Sequence, residues 1–251
     1  MTDPVFLVPD LAAQLDAVGE TGAFVLPDAE ARHASVKRIR EGEAVVLTDG
    51  AGLGVAGQWA VDGRVTGSAV LDAASHRPRV TVVQAIPKSE RSELAVDLAV
   101  QAGADRVIPW QADRCISRWD KDAKKTAKAR AKWQAAAVSA MKQSRRLSGA
   151  DVGELLGDIA DLPRHLGDLS GSVRVLVLHE EAATPLSRIG LDVDDIVLVI
   201  GPEGGVSERE VEAVSGFGGQ AVVLGPEVYR TASAAAIALG AIGVLTGRWA
   251  R

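Results

Sequence analysis

IGPEGGVSERE, from Ile200 to Glu210, and LGPEVYRTASAAA, from Leu224 to Ala236, are the two strings that decide how this chain reads. Each follows an apolar, β-branched run and opens a helix, which is the punctuation of a β-strand-to-helix unit. The run before the first string, Ile196 to Ile200, ends in VLVI and is apolar enough to be buried on both faces of a sheet. Gly201, Gly204 and Gly205 then let a ligand approach the backbone with no Cβ in the way. Ser207, with Glu210 three residues on, forms a capping box that starts the next helix. Open α/β sheets collect ligands at the carboxyl ends of their strands, so the two strings read as walls of a ligand site in a C-terminal α/β domain.

Working outward, a β-branched strand is expected over Arg79 to Ile86, then a helix over Ser89 to Ala102 and a strand over Arg106 to Trp110. A long basic helix follows, then strands over Val173 to His179, Ile196 to Ile200 and Gln220 to Leu224, with helices over Ser207 to Val214 and Thr231 to Leu245. Such alternation predicts a mostly parallel sheet. The stretch from Ser148 to Ser172 gives no clear periodicity. Before residue 75 the pattern changes to short strands, Ala44 to Thr48, Leu53 to Val61 and Arg64 to Leu71, separated by Asp49–Gly50 and Asp62–Gly63 turns. This predicts a small antiparallel barrel or sheet.

The chain has 251 residues, 47% of them hydrophobic and 24% charged, enough for one large or two modest domains. Its single cysteine, Cys115, excludes an intramolecular disulfide and a multi-cysteine metal site, which suits a reducing cytoplasm. No basic leader with an apolar core opens the sequence, and no long uncharged apolar stretch follows, so a soluble protein that is not exported and has no membrane partner is expected. A net charge of −5 argues against indiscriminate coating of nucleic acid. Lys121 to Arg146, however, carries nine lysines and arginines against the single acid Asp122. Composition alone leaves two readings open, a solvated helix face and a surface for a polyanion.

Other motifs are weaker. The glycine spacing is not GxGxxG, and the GK[ST] of a phosphate-binding loop is missing. Gly50-Ala51-Gly52-Leu53-Gly54 sits beside a hairpin signal and reads as a turn rather than a phosphate site.

IGPEGG, followed by LGPEVYRTASA, resembles the paired C-terminal motifs of the SPOUT-class RNA methyltransferases, most closely the RsmE family that methylates N3 of a uridine in small-subunit (16S) ribosomal RNA. Further segments are similar to that family. Lys88 to Ala104 resembles its lysine-led helix, Asp113-Arg114-Cys115 its arginine-serine segment, and Gln143-Ser144-Arg145-Arg146 its glutamine-serine-arginine signature. His33 to Gly50 resembles the small PUA-like β-barrel that precedes the catalytic domain. The resemblance implies a PUA-like RNA-binding domain over residues 1–73 and a SPOUT-type α/β methyltransferase domain with a trefoil knot over 77–251.

It also implies S-adenosyl-L-methionine as cofactor, no metal, a homodimer, and small-subunit ribosomal RNA or its particle as partner. Carried over by position, the cofactor contacts fall on Leu178, His179, Ile200, Gly201, Gly205, Leu224, Gly225, Val228, Tyr229 and Arg230. RNA contacts fall on Arg38, Arg40, Lys88, Arg114, Gln143, Arg145 and Arg146.

Methyl transfer from a sulfonium mainly needs positioning and a desolvated site, while uridine N3 must lose its proton as it becomes nucleophilic. Arg230 is the expected catalytic cation for the developing anion. Glu203 either accepts the proton or fixes a loop amide, and His179, at an apolar strand end, reads as a hydrogen-bonded residue rather than a base. One departure stands out. Where the family usually has an arginine-threonine-glutamate-threonine run, this chain has Arg230-Thr231-Ala232-Ser233. Two other readings remain at this level: a SPOUT enzyme with another target, such as a ribose 2′-hydroxyl, and an inactive RNA-binding assembly factor.

Overall fold

A computed structural model describes residues 3–60, 62–73, 76–88, 91–119, 121–167 and 171–249. The chain divides into two compact units, one formed by Met1–Ser75 with Ser139–Gly149, the other by His76–Val138 with Ala150–Arg251.

In the first unit, β1 (Val5–Leu7), α1 (Leu11–Val18), β2 (Ala23–Val25), α2 (Asp28–Val36), β3 (Ala44–Thr48), β4 (Leu53–Trp59) and β5 (Arg64–Asp72) follow in order. The five strands form one sheet in the order β1-β3-β4-β5-β2. It is a half-barrel, open between the edge strands β1 and β2, and it is mixed: β1 runs parallel to β3, where the sequence pattern predicted antiparallel pairing throughout. The three-residue strands and the two short helices escaped the sequence reading because neither is long enough to display a period. Phe6, Phe24, Leu47, Val55 and Val65 make the core.

The Gly50–Gly54 stretch is a turn. Asp49 Oδ1 accepts from the amides of Ala51, Gly52 and Leu53 at 2.7, 3.0 and 3.1 Å, so the carboxylate itself fills the amide nest. The returning segment Ser139–Gly149 is tied to this sheet by Thr48 Oγ1 donating to the Leu147 carbonyl (2.6 Å) and by a half-buried Lys142–Glu30 ion pair (2.7 Å).

The second unit contains β6 (Arg79–Ala85), α3 (Ser92–Gln101), β7 (Arg106–Trp110), α4 (Ala123–Ser144), β8 (Asp151–Val152), α5 (Leu162–Leu166), β9 (Val173–Leu178), β10 (Asp195–Ile200), α6 (Glu208–Gly216), β11 (Gln220–Val222) and α7 (Thr231–Leu245). The last six residues of α4 belong to the first unit. All six strands are parallel, in the order β11-β9-β10-β6-β7-β8. Val83, Val177, Val197 and Val199 pack with Trp110, Ile159 and Val214 on one face, while the alternate residues Val82, Leu176 and Leu198 are equally buried. Both faces are therefore covered, which is why these strands read as unbroken apolar runs.

β8 and α5 lie within the stretch that showed no periodicity, again because each is short. Ser89 and Val61, expected at the ends of a helix and a strand, lie outside the described residues.

Candidate active site

The carboxyl ends of β9, β10 and β11 open onto one cavity of about 580 Å³. Its walls are three segments: Leu178 to Glu181 after β9, Ile200 to Val206 after β10, and Val223 to Thr231 after β11. Leu178, His179, Ile200, Gly201, Gly205, Leu224, Gly225, Val228, Tyr229 and Arg230, spread over fifty residues of sequence, line it together with Glu203 and Arg114. The last segment is notable for what its backbone does not do. Among the described residues the amides of Leu224, Gly225, Val228, Tyr229 and Arg230 find no protein acceptor. The segment is half-buried to exposed, so these donors are open to water or to a ligand in the cavity.

The middle wall is clamped. The capping box is present: Ser207 Oγ accepts from the Glu210 amide at 3.3 Å, and Glu210 Oε2 accepts from the Ser207 amide at 2.8 Å. Glu210 is buried, and its other oxygen accepts from the Asp113 amide at 2.8 Å. Asp113 in turn receives Ser207 Oγ (2.8 Å) and the Arg209 guanidinium (2.8 and 3.1 Å), and Arg209 reaches Asp158 at 3.0 Å. Arg114 Nη1 donates to the Gly204 carbonyl at 3.1 Å, and a Cβ on Gly204 would lie 3.0 Å from Arg114 Cβ, so glycine permits this close approach. Gly205, at φ 75°, takes the left-handed turn that only glycine adopts freely.

Arg209 hydrogen bonds hold Asp113 below the usual carboxylate range, and the Ala160 amide, then Arg209, does the same for Asp158. Burial pushes the Cys115 thiol, behind this loop, up to about 11. It stays neutral.

Glu203 accepts from the Lys88 amide at 3.2 Å, tying the GPEGG loop to the segment after β6. His179 Nδ1 accepts from the Glu181 amide at 3.2 Å. Arg230 is the N-cap of α7; its carbonyl accepts from Ser233 and Ala234 amides, and its exposed side chain has no partner among the described residues. Ala232 is buried in the first turn of α7.

The remaining expected contacts lie elsewhere. Arg38, Arg40, Gln143, Arg145 and Arg146 belong to the first unit, while Lys88 is an exposed residue of the second that does not line the cavity. Arg38 and Arg145 share an uncommon position. Each sits just past a helix with positive φ, 56° and 61°, in a Schellman closure: Ile39 N to Ala34 O and Arg38 N to Ser35 O in one, Arg146 N to Met141 O and Arg145 N to Lys142 O in the other. Arg209, Asp158 and the cavity-lining Glu180 and Glu181 were not found from sequence. Arg209 did leave a signal, a cation in the first turn of a helix, where the dipole disfavours it.

The chain is similar to known proteins over most of its length. The "RNA methyltransferase domain" family matches residues 75–243, and the "RNA methyltransferase PUA domain" family matches residues 26–53. A protein of Mycobacterium bovis called ribosomal RNA small subunit methyltransferase E is 43% identical over 94% of this chain and 92% of its own length. The chain belongs to the ribosomal RNA small subunit methyltransferase E family. A second methyltransferase E, from Mycobacterium tuberculosis, shows the same identity and coverage. Among solved structures, a methyltransferase E from Neisseria gonorrhoeae bound to S-adenosyl methionine superposes with a TM-score of 0.80 at 27% identity, covering 97% of this chain and 98% of its own. Within this family fold, the ends of β9, β10 and β11 are where the present chain places its cavity.

Proposed function

We propose that this protein is an S-adenosylmethionine-dependent methyltransferase acting on N3 of a uridine in small-subunit ribosomal RNA. The observation that carries the reading is the cavity at the ends of β9, β10 and β11, with its unpaired amides from Leu224 to Arg230. Apolar Leu178, Ile200 and Leu224 suit the faces of a purine, and free backbone donors suit its edge, so the residues fit the cofactor. When bound there, S-adenosylmethionine supplies a methyl group on a positively charged sulfur.

The chain's own residues do the rest. Arg209, Asp113, Arg114 and Glu210 fix the wall from Gly201 to Val206 before any ligand arrives, so little ordering is left to do at the moment of reaction. Arg230, unpaired at the cavity wall, faces the base and stabilises the negative charge that develops as N3 loses its proton. Glu203 is occupied by the Lys88 amide and His179 by the Glu181 amide; both hold loops. The N3 proton leaves to solvent or to the second carboxylate oxygen of Glu203, which lines the cavity, with Arg230 lowering the cost.

We assign residues 1–73 to a PUA-like RNA-binding domain and 77–251 to the methyltransferase domain. The out-of-sequence strand order β11-β9-β10-β6 supports a trefoil knot in the latter. A homodimer is supported by α7, whose Ile237, Val244 and Leu245, with Trp249 just beyond, leave an apolar stripe exposed on a helix that is otherwise buried. No described helix is long and apolar enough to cross a membrane, and we place the enzyme with the ribosome in the cytoplasm.

The test is incubation with S-adenosylmethionine and small ribosomal subunits from a strain lacking this methyltransferase, followed by mass mapping of the RNA. One N3-methyluridine is expected with the wild type and at least a hundredfold less with Arg230→Ala, on the order of an oxyanion-donor deletion. A ribose 2′-O-methyl product, or none, overturns the assignment.

A further inference from the structure

The amino-terminal half of α4 carries a feature the catalytic cavity does not use. Lys124, Lys125, Lys128 and Lys132 are exposed and, at about 100° per residue, fall on one stripe of the helix, with the exposed Lys121 just before its first turn. The opposite stripe is buried: Trp133 donates to Ser92 Oγ at 2.7 Å, and Arg130, on that side, is spent on the carbonyls of Val152 and Gly153 and on Glu154. Of the five lysines only Lys132 has an ion-pair partner among the described residues, Glu93 at a long 3.8 Å.

This stripe is costly to the helix that bears it. Lys124 and Lys125 stand in the first turn, where the dipole repels cations, and the pairs 124/128 and 128/132 repel one another at i,i+4 spacing. Asp122, which caps the helix by accepting from the Lys124 amide at 2.8 Å, offsets them in part. In a chain of net charge −5, solubility needs no such run of one sign.

We infer that this lysine stripe is a second, sequence-independent contact surface for the ribosomal RNA backbone, separate from the methyl-donor cavity. It rests on the RNA methyltransferase reading and adds to it where the substrate is held. The flexible ammonium groups act as point charges that follow phosphates without reading bases. A row of phosphates is the partner whose charge density matches four cations along about two and a half turns of helix and a fifth just ahead of it.

The test compares the wild type with the variant carrying Lys121→Gln, Lys124→Gln, Lys125→Gln and Lys128→Gln, measuring binding of a small-subunit ribosomal RNA fragment across a salt series. Losing four phosphate contacts should reduce the slope of log affinity against log salt by about 3, since each contact contributes ~0.7 to 0.9. S-adenosylmethionine affinity and turnover at saturating RNA should be unchanged, thermal stability equal or higher, and four lysine-to-arginine changes should preserve the slope. An unchanged slope in the glutamine variant overturns the stripe as an RNA surface, whether it then serves an acidic protein or only solvent. Failure of the wild type itself to bind and methylate the RNA would instead sink the reading beneath it.

Discussion

Arg209 is the residue on which the order of the cavity turns. It stands at the wrong end of a helix for a cation, and it is tolerated there because Asp113 and Asp158 both accept from it. Its two partners lie on different connections, so one guanidinium joins the end of β7, the turn before α5 and the start of α6. Replacement by methionine is expected to weaken S-adenosylmethionine binding about tenfold, or ~1.4 kcal/mol, in a calorimetric titration, with Arg209→Lys recovering part of it. The unfolding temperature should barely move, because exposed ion pairs contribute little to global stability. The pH dependence follows in sign. Both carboxylates are held below their usual range, so the latch is complete at neutral pH and is lost only as pH falls below the usual carboxylate range, through those depressed values. An unchanged affinity in Arg209→Met would remove the positioning role.

Helix ends explain both what the sequence revealed and what it concealed. Ser207 and Glu210 spell a capping box, and the box is there, since its two bonds depend only on residues three apart. The strand Arg106–Trp110 and the helix Thr231–Leu245 have the limits read from sequence, because long apolar runs and a following glycine or helix signal mark them locally. The Schellman closures at Arg38 and Arg145 could not be read, because glycine fills that left-handed position at Gly103 and Gly218 and an arginine there carries no such mark. An L-residue costs about 1 to 2 kcal/mol in this conformation. Arg145→Gly should accordingly raise the unfolding free energy from denaturant titration by about 1 kcal/mol or less after the lost favourable dipole interaction, while weakening RNA binding. Stability and affinity moving in the same direction would refute the view that the strain is kept for the side chain.

At the scale of the molecule, the parallel sheet was legible because its strands are buried on both faces and alternate with helices. The mixed half-barrel was less so, because β1 and β2 are three-residue edge strands and their pairing is decided by partners far along the chain. The site was legible as motifs but not as a constellation. IGPEGG and LGPEVYR announce glycine-bearing strand ends, whereas Asp113, Asp158 and Arg209, between 45 and 96 positions apart, meet only once the sheet has formed. Ala232 is buried in the first turn of α7, two residues from the exposed Arg230, which lines the cavity together with Arg114, Glu180, Glu181 and Glu203.

If the ends of β9, β10 and β11 form one methyl-donor pocket already shaped before substrate binds, the cofactor should bind with no RNA present. Titration of S-adenosylmethionine into the purified, folded protein without RNA tests it most directly. Saturable heat with one cofactor per chain is expected; a folded protein giving no heat would overturn the pocket.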